Sequence, residues 1–281
     1  MSVSRLLALG LLASVATAGC GRDAVSQSSS SLRIDPGART LFLNQVFGFR
    51  VDLEQDGRLT DVTEDEDLVL SVEPAGIIQV TAGQGQAIGV GEAILTAQLR
   101  DREASIRIVV SEATLASLTV EPSPLRLGVR AEAQLRVTGL LSDDSTVDLS
   151  ATSEGTVYEA SPNGLVSIDD QGRVTGLSPG SGTITVTQVG QQATVPVEVV
   201  EVPDDIVSIR VEPDPIRLDF DEQRATQVIG TDSTGASLIL PTTEIAFSVR
   251  DPDVARVAPN GVVTSLNQND STELLVGFRE L

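Results

Sequence analysis

After residue 30, the chain consists of short stretches in which apolar and polar residues alternate. Residues 133–138 and 183–187 both have a period of two, which places successive side chains on opposite faces of a β-strand. No window of about a dozen residues after Cys20 shows the 3.6-residue apolar stripe of an amphipathic helix. Short strands with turn signals every 8–12 residues or so predict an all-β sandwich or barrel.

The strand pattern repeats along the chain. Residues 118–127 and 209–218 match in pattern at every position, and a looser copy begins at Leu32. The spacing of about 90 residues corresponds to a domain, because solenoid repeats are much shorter. The sequence therefore predicts three tandem β-sandwich domains, at residues 31–112, 113–202 and 203–281.

The third copy differs from the second at its end. In the second copy a strand starting at Gly180 is followed by a turn and a closing strand at 193–200. The counterpart of the Gly180 strand in the third copy is 271–278, and the sequence given stops at Leu281. We therefore expect the third domain to be incomplete and to lack its closing strand.

Four motifs occur in a fixed order within the repeat. They are a Val-x-Pro strand (120–122), an Asp-Gly-x-x-x-Asp-Val-Thr hairpin (56–63), a Gly-x-Val-Thr stretch (172–175) and a Gly-x-x-x-Ile-Thr-Val strand (180–186). This order resembles the bacterial Ig-like group 2 domain of invasin/intimin-like surface proteins, over about residues 31–281. The resemblance implies tandem immunoglobulin-like β-sandwich domains that serve as adhesion, binding or spacer modules on bacterial surfaces.

The same family usually carries a Trp in a central strand, and this chain has none. Tyr158 in the second copy and Phe247 in the third stand in for it, whereas the first copy offers Leu70. Prolines are also placed regularly, with Pro122 and Pro124 early in the second copy. Because Pro cannot donate to a central ladder, such positions are predicted to be sheet edges or points where the chain changes sheets.

The first residues have the layout of a secretory signal. Arg5 precedes an apolar run at 6–13, which is too short to span a bilayer. The single Cys of the chain, Cys20, follows Ala18-Gly19. The segment resembles a lipobox, with Thr17 where Leu is usual, so we expect cleavage of the signal peptide 1–19 and lipidation of Cys20. Ordinary secretion with a free thiol and a buried core Cys are the alternatives.

Residues 20–30 are Ser-rich and predict a flexible tether between the lipidated Cys and the first domain. The anchor makes the membrane a predicted partner and the cell envelope the predicted location. Gly21 rather than Asp follows the Cys, which by resemblance to Gram-negative lipoproteins indicates the outer membrane.

The composition excludes most classes of catalytic site. The sequence contains no His, and all 19 basic residues are Arg, so His-based triads, His-ligated metals, Schiff bases and Walker-type phosphate loops are excluded. Paired acids could hydrolyse glycosides, but such sites normally lie in clefts lined by aromatic residues, which make up 2% of this chain. We therefore predict that the protein is not an enzyme. A net charge of −21 without a basic patch also argues against nucleic acid as a partner.

Clusters of acidic residues leave calcium as the one cofactor to consider. Asp204 and Asp205 lie at the predicted join between the second and third domains, where a bound Ca²⁺ could fix the angle. They are weak candidates, because no acid cluster has the spacing of a known calcium loop and turns favour Asp in any case.

Three functions are consistent with the sequence. The first is an anchored stalk, adhesion or protein-interaction module whose partner is an unknown surface protein. The second is a carbohydrate- or peptidoglycan-binding surface protein, and the third is an accessory subunit of an envelope complex. Binding in such folds depends on variable loops, so the sequence names no ligand-binding residue.

Overall fold

The computed structural model describes residues 30–36, 39–267 and 270–279. Cys20, the signal peptide 1–19 and the tether up to residue 29 lie outside these residues, so the lipid anchor stays a prediction. Within the described ranges the protein is all-β, with 27 strands and two short 3₁₀ turns. No helix in this part of the chain is long and apolar enough to cross a membrane.

The first domain is a sandwich of two sheets. One sheet has the order β1-β3-β7-β6, with β4 beside β3, and the other has the order β2-β9-β8-β5, in which β2 and β9 are parallel. Alternate residues of both sheets, among them Phe47 and Ile108, fill the core between them. The strands are β1 (Ser30–Pro36), β2 (Thr40–Phe42), β3 (Val46–Gln55), β4 (Arg58–Asp61), β5 (Leu68–Glu73), β6 (Ile78–Thr81), β7 (Gln84–Ala87), β8 (Gly91–Leu99) and β9 (Arg102–Ser111).

The second domain repeats this plan. Strands β10, β13 and β14 form one sheet, β12, β17 and β16 a second, and β15, β18, β19 and β11 belong to a third, in which β11 and β19 are parallel. A 3₁₀ turn, Thr152–Glu154, connects β14 to β15. The strands are β10 (Leu115–Glu121), β11 (Leu125–Gly128), β12 (Glu132–Gln134), β13 (Arg136–Leu141), β14 (Thr146–Asp148), β15 (Val157–Ser161), β16 (Val166–Ile168), β17 (Arg173–Gly176), β18 (Gly180–Gln188) and β19 (Gln191–Val200).

Within the described residues, the third domain has fewer strands than the second. In one sheet β22 lies between β20 and β23 and pairs with both. In a second sheet β26 lies between β21 and β25, and β24 pairs with β27. The second 3₁₀ turn, Thr242–Glu244, precedes β24. The strands are β20 (Ile206–Glu212), β21 (Gln223–Ala225), β22 (Gln227–Asp232), β23 (Ser237–Ile239), β24 (Ile245–Val249), β25 (Ala255–Val257), β26 (Val262–Ser265) and β27 (Leu274–Phe278).

The predicted fold class, tandem Ig-like β-sandwiches, is confirmed. β10 pairs with β13 in the same register as β20 with β22, Val120 opposite Val137 and Val211 opposite Val228. Among the described residues, no strand of the third domain corresponds to β19. The predicted joins near 113 and 203 fall in the strand-free segments between β9 and β10 and between β19 and β20.

The prolines mark a change of sheet, as expected. Pro122 and Pro124 lie between β10 and β11, and these two strands belong to different sheets. Because Pro has no N–H to donate, the chain can leave one ladder here and enter the other without an unpaired donor.

The three residues expected in place of the family Trp occupy equivalent positions. Leu70, Tyr158 and Phe247 pair with β8, β18 and β27 in the same register and pack against their respective cores. The Tyr158 hydroxyl donates a hydrogen bond to the carbonyl oxygen of Ser150 at 2.6 Å. Burial, with smaller contributions from the charges of Asp148 and Asp169, raises the pKa of Tyr158 to about 12, so the hydroxyl is a donor at physiological pH.

Candidate functional site

The second and third domains share one continuous sheet. β11 pairs with β19 of its own domain on one side and with β23 of the third domain on the other, where Leu127 lies opposite Ile239. The result is a seven-stranded sheet that runs through both domains. Ile239 and its cross-strand partner Ile229 are buried in the core cluster of the second domain. This joint is therefore made by both main-chain pairing and apolar packing.

Side-chain identity at two repeat positions explains why the sheets join here. The counterparts of Ile229 and Ile239 in the second domain are Thr138 and Asp148, which also face each other across a strand pair. Asp148 is exposed, and a charged residue at that place would be costly to bury against a neighbouring core. Our sequence analysis missed both isoleucines. The signal was present, because they are apolar where the preceding copy is polar.

The linker between these domains adds to the joint. Val200 and Val202 pack against the core of the third domain. A Cβ atom on Gly128 would lie 2.9 Å from Val202 Cγ2, so the bare backbone of β11 lets the linker approach closely. The Arg126 guanidinium, at the same strand edge, donates to the carbonyl oxygen of Ser237 at 3.4 Å.

The first and second domains meet in a different way. Phe42, at the end of β2, is 2% exposed and packs with Ala113 and Leu115 in the core cluster of the second domain. The Leu43 N–H donates to the carbonyl oxygen of Ala113 at 3.1 Å. The described strands contain no pairing between β2 and a strand of the second domain. An aromatic side chain, rather than a shared sheet, connects these cores.

A small polar network completes the first joint. The Gln45 side chain is 1% exposed and donates from Nε2 to Oε2 of Glu154 at 2.9 Å. Gln188 Nε2 donates to the Glu154 carbonyl oxygen at 2.6 Å. Burial raises the pKa of Glu154, while the hydrogen bond from Gln45 acts in the opposite direction. The joint thus contains a half-buried carboxyl group that titrates above its usual range.

The predicted calcium candidates lie beside the second joint, each with a protein partner. Asp204 Oδ1 is 3.1 Å from the Arg279 guanidinium, which also contacts Glu244 at 3.3 Å. Asp205 accepts a hydrogen bond from the Ser233 hydroxyl. In residues 30–36, 39–267 and 270–279, no three acidic or other metal-ligating side chains are grouped to hold an ion. The two aspartates do not come together with further oxygen ligands, so the calcium site stays an untested prediction.

Several acidic residues accept hydrogen bonds from the backbone two residues ahead, which is the geometry of an Asx turn. Asp61, Asp143, Asp148 and Asp232 show its fuller form, since each accepts from both the N–H and the hydroxyl of the Ser or Thr two residues ahead. These bonds lower the pKa of Asp61, the Thr63 hydroxyl contributing most. The backbone bond occurs without the hydroxyl bond at Asp65, Asp169 and Asp251.

A cleft of about 530 Å³ lies between the second and third domains. Arg136, Arg173 and Arg224 line it together with Glu132. Arg173 pairs with Glu132 at 3.2 Å, and Arg224 pairs with Glu222 at 3.1 Å. Arg136 has no ion-pair partner within the described part of the chain. Glu132, Asp169 and Glu222 therefore offset the charges of two of these arginines, and Arg136 is the cleft guanidinium that an anionic group could pair with.

No family model matches the chain. Over 107 residues the chain is 26% identical to ice-binding protein 1 of Shewanella frigidimarina, a match that covers 38% of this chain and 12% of that protein. Domains 4–9 of the surface layer protein SbsC resemble it with 16% identity and a TM-score of 0.43, covering 88% of this chain and 45% of that one. For protocadherin gammaB7 EC3–6 the identity is 12% and the TM-score 0.24, over 88% and 73% of the two chains. At these levels the comparisons assign the chain to no family.

Proposed function

We propose that this protein is a non-catalytic, lipid-anchored module of the bacterial cell envelope, a stiff stalk of Ig-like domains that presents an interaction or adhesion surface. The observation that carries the proposal is the pair of packed joints. A shared sheet and a buried aromatic residue couple three domains that a flexible array would leave independent. The invasin/intimin-like resemblance of the repeats supports the same role.

The anchor is tested at Cys20. Cells grown with a clickable fatty acid should label the wild-type protein and not the Cys20→Ala variant, because a lipobox Cys is the acceptor of the acyl chains. Fractionation should place the labelled protein in the outer membrane. A soluble wild type, or equal labelling of both forms, would contradict the anchored model.

The stiffness of the stalk is tested by distances between spin labels. In a Cys20→Ala background, one pair of labels at Glu103 and Glu159 spans the first joint, and a pair at Glu159 and Arg256 spans the second. All three side chains are exposed. Each pair should give one narrow distance distribution. A broad distribution for either pair would show that the domains move independently and would overturn the stalk.

Arg136, which lines the cleft without an ion-pair partner in the described residues, supports binding of an acidic glycan, such as the carboxylates of peptidoglycan, as a second candidate function. Purified peptidoglycan should retain the protein, and Arg136→Glu should weaken retention. Arg256→Glu is the matched control, because Arg256 is exposed but lies outside the cleft. Equal retention of both variants would remove this function. Co-purification of a stable partner after mild solubilisation would instead favour an accessory subunit of an envelope complex.

A further inference from the structure

An asparagine followed by a glycine can lose its side-chain amide without an enzyme. The backbone nitrogen of Gly reaches the Asn side-chain carbonyl easily, because no Cβ atom stands in the way, and Asn is accordingly among the thermolabile residues. The sequence contains two such pairs, Asn163-Gly164 and Asn260-Gly261, and each follows a proline. The two Pro-Asn-Gly triplets have the same local chemistry, so a large difference between their rates must come from the surrounding structure.

The first pair lies in an open turn. Asn163 and Gly164 are the central residues of the turn between β15 and β16, in which the Leu165 N–H donates to the carbonyl oxygen of Pro162 at 3.4 Å. Both central residues are exposed. Within the described residues, neither the Asn163 side chain nor the Gly164 N–H makes a hydrogen bond. Beyond its chain neighbours, a Cβ atom on Gly164 would meet nothing within 4 Å. The attacking nitrogen is therefore not engaged elsewhere, and there is space around it.

The second pair is held in place. Gly261 is buried, and its N–H donates to the carbonyl oxygen of Ala258 at 2.9 Å. The Gly261 carbonyl oxygen accepts from the N–H and the hydroxyl of Thr226, at 3.1 and 2.8 Å. Oδ1 of Asn260 accepts from the Val262 N–H at 3.3 Å. Attack by the Gly261 nitrogen would break this set of bonds, so it requires local opening of the turn.

We propose that Asn163 is a site of spontaneous deamidation, whereas the fold protects Asn260. The Gly164 nitrogen loses its proton to solvent and attacks Cγ of Asn163. The new C–N bond closes a succinimide ring, the bond from Cγ to the side-chain nitrogen breaks, and that nitrogen leaves as ammonia. Water then adds to either ring carbonyl and opens the ring to aspartate or isoaspartate. The net reaction consumes water and releases ammonia, and each product adds a negative charge to the turn.

The first domain shows that this turn needs its glycine but not its asparagine. Its equivalent turn, between β5 and β6, contains Ala75-Gly76. Gly76 has a φ of 89° and Gly164 a φ of 81°, a conformation in which turns favour Gly. Asn163→Ala is therefore a substitution that the repeat already accommodates, and it removes the reacting amide while leaving the turn intact.

Isotope labelling of the full chain compares the two pairs in one molecule. The folded protein is incubated in mildly alkaline heavy-oxygen water at physiological temperature and then digested with trypsin in ordinary water, so that only deamidation during the incubation carries the label. Cleavage after Arg separates the pairs into peptides 137–173 and 257–279. We expect label at Asn163 to accumulate at least about tenfold faster than at Asn260, because the second turn must open first. In denaturant the two rates should become similar.

Isoelectric focusing provides the variant test. The wild type should gain an acidic form during the incubation, and Asn163→Ala should lose that form. Asn260→Ala is the matched control and should behave as the wild type does, with melting curves checking that both variants fold. Equal labelling of the two pairs in the folded protein, faster labelling of Asn260, no label at Asn163 under conditions that label the unfolded chain, or a rate difference that persists in denaturant would each overturn the proposal.

Discussion

The two joints of this protein are built from the same repeat yet differ in kind. Between the second and third domains, a strand of one domain extends the sheet of the other, and Ile239 is buried across the boundary. Between the first and second domains, the equivalent edge strand, β2, ends its sheet within the described residues. There Phe42 enters the neighbouring core, and Gln45 contacts Glu154.

An edge side chain therefore decides how one repeat can dock on the next. A strand edge always offers unpaired backbone groups, but a neighbour can cover it only if the adjacent side chains tolerate burial. Ile229 and Ile239 tolerate burial, whereas the charged Asp148 of the preceding copy does not. Four substitutions and the addition of Ca²⁺ test how the two joints are built, in order of decreasing expected effect.

The largest effect is expected from Ile239→Asp, which gives the third domain the residue that the second has at this position. The change removes a buried side chain and places an unpaired carboxylate in the joint, with a cost of roughly 3–5 kcal/mol. The distance distribution between labels at Glu159 and Arg256 should broaden. Ser237→Asp, on the same strand but exposed, is the control. An unchanged distribution in Ile239→Asp would mean that linker contacts alone hold the joint.

Phe42→Ala should loosen the first joint and leave the second intact. Loss of a buried Phe costs about 3 kcal/mol or more, and the labels at Glu103 and Glu159 should report a broader distribution. Phe220→Ala provides the control, since Phe220 is 57% exposed. If Phe42→Ala and Phe220→Ala lowered the melting temperature equally, Phe42 would not couple the two cores.

Gly48→Ala should cost about 1–2 kcal/mol by overpacking the first joint. A Cβ atom at this position would lie 2.8 Å from Cβ of Ser153 in the 3₁₀ turn. Ser153→Gly removes the opposing atom, so the double variant should recover most of the lost stability in denaturant unfolding. Additive losses in the double variant would place the strain elsewhere.

The first joint should also respond to pH through Glu154. Because burial raises its pKa in the folded state, the folded protein binds this proton more tightly than the unfolded chain does. The resulting stabilisation is complete below the ordinary Glu pKa and is lost as pH rises through the raised value. Wild type should therefore gain stability relative to Glu154→Gln as the pH is lowered from neutral toward about 5. Parallel pH profiles for the two proteins would show that the carboxyl group is not buried in solution.

The smallest effect is expected from calcium at Asp204 and Asp205, because Arg279 and Ser233 already engage them. Millimolar Ca²⁺ should change Tm by less than about 4 °C relative to chelator, or under about 1 kcal/mol. A rise of about 10 °C or more would correspond to a clearly larger stabilisation and would identify a real site, with Asp204→Asn as the first variant to test.

Local rules made much of the fold predictable. Alternation, the spacing of the copies and the order of their motifs were enough to predict tandem β-sandwich domains. The change of sheet at Pro122 and Pro124 followed from the absence of an N–H, and the places of Tyr158 and Phe247 followed from the family pattern. Each of these properties depends on residues within one copy, so sequence comparison between copies could find them.

Contacts between copies were decided only by the tertiary structure. The sequence shows Ile239 and Phe42 as two apolar residues among many, because burial across a joint depends on how neighbouring domains are oriented. Strand pattern is a local property of the chain, but the docking of one domain on another depends on surfaces that form after each has folded.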